Sequence, residues 1–172
     1  MLKTIFALTP IAASLVCACA TAVPPSAKAA EVERIQCDSG PTGADDIHLL
    51  QSAAVIRSEP LYSHVITGNN GFEERVDGAK LIIRPPAGVS AERMTRIIQC
   101  HSARALLGQA DRANFVDDPF WLPDTWITVE VTPENGNYAV TLEANDVPTN
   151  IRLAARARAF ADAHPFGAPV VQ

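Results

Sequence analysis

The strictest pattern in the chain lies between residues 127 and 143. Ile127, Val129 and Val131 alternate with Thr128, Glu130 and Thr132. After Asn135-Gly136, Tyr138, Val140 and Leu142 alternate with Ala139, Thr141 and Glu143. A period of two sends the two sets to opposite faces of a strand. Asn-Gly tolerates the positive φ angles of a tight hairpin turn. The stretch therefore predicts an antiparallel hairpin with one buried and one wet face. Its apolar face requires a second layer.

Two helical patterns can supply that layer. Ser90 precedes a run to about Leu107 in which Met94, Ile97, Ile98 and Ala105 form one stripe. His101 falls within that stripe and Cys100 on its shoulder. Glu92 lies in the first turn, where negative charge suits the helix dipole, and Gly108 is placed to end the helix. A last helix opens at Asp146-Val147-Pro148, buries Leu153, Ala157, Phe160 and Ala161, and ends at His164-Pro165. Residues 81–101 and 139–159 both read as strand, short connection, helix. The C-terminal half thus has the order β-α-β-β-α.

The N-terminal half is less regular. Residues 31–36 alternate and suggest a short strand ahead of Cys37. Ala44 to Arg57 carries Ile47, Leu50, Ala54 and Val55 at helical spacing, and Pro60 is expected to end that helix by about Ser58. Leu61–Thr67, Phe72–Val76 and Ala79–Arg84 read as strands, separated by Asn70-Gly71 and Asp77-Gly78 as turns. Residues 109–125 are irregular and hold Phe115, Asp117-Asp118, Phe120 and Trp121. The expected fold class is α+β: a mostly antiparallel sheet of about five strands, with about three helices packed on one face.

The first residues have a different logic. Lys3 precedes an apolar run from Ile5 to Ala18 that is short and rich in small residues, as in an export signal. Val16-Cys17-Ala18-Cys19 resembles a bacterial lipobox, with Cys17 where a small or aliphatic residue is usual. Cys19 is then the expected lipidation site. Cleavage within residues 18–22 as an ordinary secretory signal, or retention as an anchor, are the other readings. The expected organisation is an export signal over residues 1–19, a Pro/Ala tether over 20–30 and a single domain over 31–172. All three readings place the domain outside the cytoplasm: periplasm or outer membrane as a lipoprotein, otherwise secreted.

Of four cysteines, Cys37 and Cys100 lie beyond the export segment. In an oxidising compartment such a pair is expected as a disulfide. The alternative is metal: Cys100 and His101 are adjacent soft ligands that His64 could join. No C-x-x-C or His-x3-His pair accompanies them. No G-x-S-x-G elbow or H-E-x-x-H helix is present, and Asp45-Asp46 and Asp117-Asp118 read as a helix first turn and a solvated loop. Catalytic residues are therefore not assigned and no cofactor is expected. Phe120 and Trp121 are candidate contacts for a partner, or rings that pin their loop.

The formal net charge is −5, and losing Lys3 with the signal makes it more negative. That disfavours nucleic acid, which needs a dense basic patch. The expected partners are a membrane, through the lipid anchor, and an envelope protein. The leading functional expectation is a non-enzymatic binding or accessory module of the cell envelope. The alternatives are an envelope metal-binding protein, or an enzyme whose residues are dispersed through the chain.

Overall fold

The computed structural model describes residues 23–37, 48–67, 71–109 and 117–165. The elements are α1 (Pro25–Gln36), β1 (Val55–Thr67), β2 (Gly71–Ile83), α2 (Ala91–Leu106), β3 (Thr128–Glu134), β4 (Asn137–Glu143) and α3 (Val147–Ala163). A short helical stretch over residues 48–51 precedes β1. The fold is α+β, with a fully antiparallel sheet in the order β1-β2-β4-β3.

The hairpin forms as its alternation requires. Asn135 and Gly136 adopt φ of 50° and 78°, a turn whose twist matches the flanking strands. Val129 and Val131 are buried while Thr128, Glu130 and Thr132 are exposed. Ala79, Leu81, Ile83, Val140 and Leu142 continue the apolar face across β2 and β4, and α2 and α3 cover it with Met94, Ile97, Ile98, Leu153, Ala157 and Phe160.

Both covering helices have side-chain caps. Ser90 accepts from the Arg93 amide at 3.2 Å, and Gly108 takes φ of 71° after α2. Asp146 accepts from the Thr149 amide at 2.9 Å. These bonds satisfy amides that the first helical turn leaves without carbonyl partners.

Four expectations from the N-terminal half are corrected. Residues 31–36 are helical, as part of α1, because Ala29 and Val32 recur at helical spacing and bury against α2 and Trp126. The same helix takes up residues 25–30 of the stretch read as a tether. The helix expected up to Ser58 stops at residue 51 in the described part, and β1 begins at Val55. Pro60 sits inside β1, where an edge strand tolerates a missing N–H.

The last correction is that Asp77-Gly78 is a bulge within a single strand. Leu61 pairs with Gly78 and Tyr62 with Val76, leaving Asp77 unmatched. The two expected strands 72–76 and 79–84 thereby merge into β2, and about five strands become four. A Cβ at Gly78 would overlap the Leu142 carbonyl oxygen, so this close approach requires glycine.

Candidate functional site

Cys37 and Cys100 form a disulfide with their Cα atoms 5.6 Å apart. It joins the end of α1 to the buried side of α2, and Arg104 adds an ion pair to Glu33 at 3.2 Å. Lys28 Nζ lies 5.4 Å from the centroid of the Trp126 ring, within cation–π range. These contacts clamp α1 onto the domain. The Cys100 sulfur is bonded to sulfur and offers no thiolate to a metal. Among the described residues no group of three or more His, Cys, Asp or Glu side chains is placed to hold a metal ion.

His101 is buried, as its place in the stripe predicts. Its Nε2 lies 2.5 Å from Asp118 Oδ2. Asp118 is itself buried, in contrast to the solvated loop expected for Asp117-Asp118. Its other oxygen accepts the Phe120 amide at 2.7 Å, and the Ser102 hydroxyl donates to the Phe120 carbonyl. Arg156 of α3 donates to the Trp121 carbonyl at 2.9 Å and to that of Asp118 at 3.4 Å. Four side chains from α2, α3 and the segment itself thus bind residues 118–121.

A carboxylate orienting an imidazole also makes two of the three members of a nucleophilic triad. Here the neighbouring hydroxyl of Ser102 is given to a backbone carbonyl. The arrangement braces the fold. Phe120, a candidate partner contact, is 1% exposed and meets Phe160 edge to face with centroids 5.6 Å apart. Trp121 is partly buried. The aromatic cluster pins its segment to the core and presents little surface to a partner. The lipidation candidate Cys19 lies outside the described residues.

His64, the third metal candidate, stands elsewhere. It is exposed on β1 opposite Glu74 of β2. β4 pairs with β2 only from Ala79 to Ile83. The distal part of the β1–β2 hairpin, from Tyr62 and Val76 outward, therefore continues as two strands alone. Its β1 side carries Tyr62 at 56% exposure, Val65 at 37% and Ile66 at 73%. Tyr62 and Ile66 share one face of this ribbon and Val65 lies on the other. A two-stranded ribbon is marginally stable in water by itself, and exposed apolar side chains along it offer area to a partner.

At the base of this arm is an acidic cleft of about 300 Å³ between Arg75, Asp77, Glu143 and Asp146. The Arg75 guanidinium, 2.7 Å from Asp77, holds that carboxyl below its usual range. Hydrogen bonds from Thr149 do the same for Asp146. Both are anionic near neutral pH, and both are already engaged. The two strands of this arm, Leu61–Thr67 and Phe72–Val76, are legible in the sequence; that they outrun the sheet and stand uncovered by β4 is what sequence reasoning missed. The available signal was a run, Leu61–Thr67, without Asp, Glu, Lys or Arg on what the topology makes an edge strand.

Compared with models of known families, with characterised proteins and with solved structures, the chain matches none.

Proposed function

We propose that this chain is an exported, lipid-anchored domain of the cell envelope that acts by binding, with the distal β1–β2 arm as its contact surface. The observation that carries this reading is the exposure of Tyr62, Val65 and Ile66 on an edge strand that outruns its sheet. An edge offers unpaired backbone groups and the apolar side chains offer area, a combination that favours recognition by strand addition. The Val16-Cys17-Ala18-Cys19 stretch supports the anchor. The brace around His101 supports a domain built for rigidity, since its polar atoms are spent on holding residues 118–121.

The test places a photo-crosslinking amino acid at Ile66 of the full chain in cells. Adducts should form there and be lacking at Glu130, which is exposed on the body of the sheet. Labelled palmitate should enter the same chain and not its Cys19→Ser form. Equal adduct yields at the two positions overturn the contact surface, and unchanged labelling in Cys19→Ser overturns the anchor.

A further inference from the structure

The arm has a feature beyond exposure: its free edge is divided by charge. The inner part of β1 is occupied or guarded. The Val55 amide donates to the His164 carbonyl at 3.0 Å, and Pro165 bridges Val55. Arg57 and Glu59 follow, tied into ion pairs with Glu134 and Lys80, and then Pro60 removes a donor. Charge and proline are the usual means of blocking edge-to-edge pairing. From Leu61 to Thr67 these guards stop. Among the described residues the segment Leu61–Thr67 pairs on one side only, with β2.

We infer that the segment Leu61–Thr67 pairs with the same segment of a second copy of this chain, antiparallel about a two-fold axis at His64. This rests on the arm being a contact surface. The charge pattern selects both occupant and register. A copy brings a strand equally free of Asp, Glu, Lys and Arg, so no carboxylate, ammonium or guanidinium meets its like or is buried without a partner, and the two His64 imidazoles face each other at the axis. Residue 64 is the midpoint of the uncharged run, and centring there pairs the whole run with itself. A shift toward the N-terminus would draw Glu59 and Pro60 into the ladder.

At this register Tyr62 of one copy stands opposite Ile66 of the other, an aromatic and β-branched pair of the kind that stabilises sheets, and Ser63 stands opposite Val65. The contact is isologous and closes as a dimer. It turns two marginal ribbons into one sheet of β2-β1-β1-β2. Glu73 and Glu74 lie on β2, one strand away from the new seam.

The test uses the full chain carrying His64→Cys, mildly oxidised in membranes and again after detergent dilution. A disulfide-linked species of twice the mass should form, and Glu59→Cys on the same strand should give several-fold less. Adding Ile66→Glu to His64→Cys should remove it while leaving the Cys37–Cys100 disulfide intact, which shows that the domain still folds. No doubling from His64→Cys, or equal doubling from both positions, overturns the self-pairing. Photo-adducts at Ile66 of some other mass without doubling also overturn it, and leave the arm as a contact surface for a different protein. Neither doubling nor adducts overturns both readings.

Discussion

Removing the imidazole of His101 leaves the Asp118 carboxylate buried beside a void, still bound to the Phe120 amide but without its nearest partner. Breaking a buried charged or polar pair from one side costs more than the pair contributes in net terms, because the survivor cannot be rehydrated in place. His101→Ala should therefore lower stability by about 3 kcal/mol, read as a drop in the urea midpoint. Asp118→Ala should cost a similar amount. The double variant should cost clearly less than the two combined, since each single change already removes the shared bond. Zinc added to the wild type should not raise the midpoint. A midpoint that does not move in His101→Ala would show the brace to be dispensable, and a zinc-dependent rise would restore the metal reading.

The elements that carry the core are defined by their ends as much as by their faces. Asp146 caps α3, and the Thr149 hydroxyl and amide hold its carboxyl below the ordinary range. A depressed folded-state value means that the stabilisation is fully present above the unfolded value. It is lost as pH falls through the folded one. Asp146→Asn should therefore separate most from the wild type near neutrality. The gap should narrow below about pH 4, where the wild-type carboxyl also protonates. Thermal unfolding of both proteins across that range checks the sign: a gap that widens in acid contradicts it. β2 is an element of another kind. Gly78 lets it pass close to Leu142 through a bulge, and that passage keeps one strand running from the sheet into the arm.

For the whole molecule, the Cys37–Cys100 bridge ties α1 to the main core across 63 residues of sequence. A loop of that length should contribute about 4 kcal/mol by the chain-entropy account. α1 buries only Ala29 and Val32, so it depends on this bond, on the Glu33–Arg104 pair and on Lys28 over Trp126. Replacing both cysteines by serine should lower the urea midpoint accordingly and raise amide exchange in α1 before the sheet. Thiol titration of the oxidised, denatured wild type should find neither Cys37 nor Cys100 free. Equal exchange in α1 with and without the bond would mean that its packing alone suffices.

What the amino-acid order determined by itself is local and periodic. The Asn135-Gly136 hairpin, the capped helices after Ser90 and Asp146, and the inward face of His101 follow from spacings of two and of three to four, with capping residues at the ends. Each is settled by neighbours within a turn or a strand. Asp118 could not be found that way. It looks like Asp117 until the fold brings it to a histidine 17 residues earlier. Asp77-Gly78 carries the same local signal whether the chain reverses or bulges, and pairing with β1 decided the matter. Residues 31–36 alternate as a strand would, yet burial against α2 and Trp126 made them a helix. The arm is the clearest case. Whether Leu61–Thr67 is covered or bare depends on where β4 stops along β2. Strand order and stagger come from packing partners distant in sequence, which no local pattern contains.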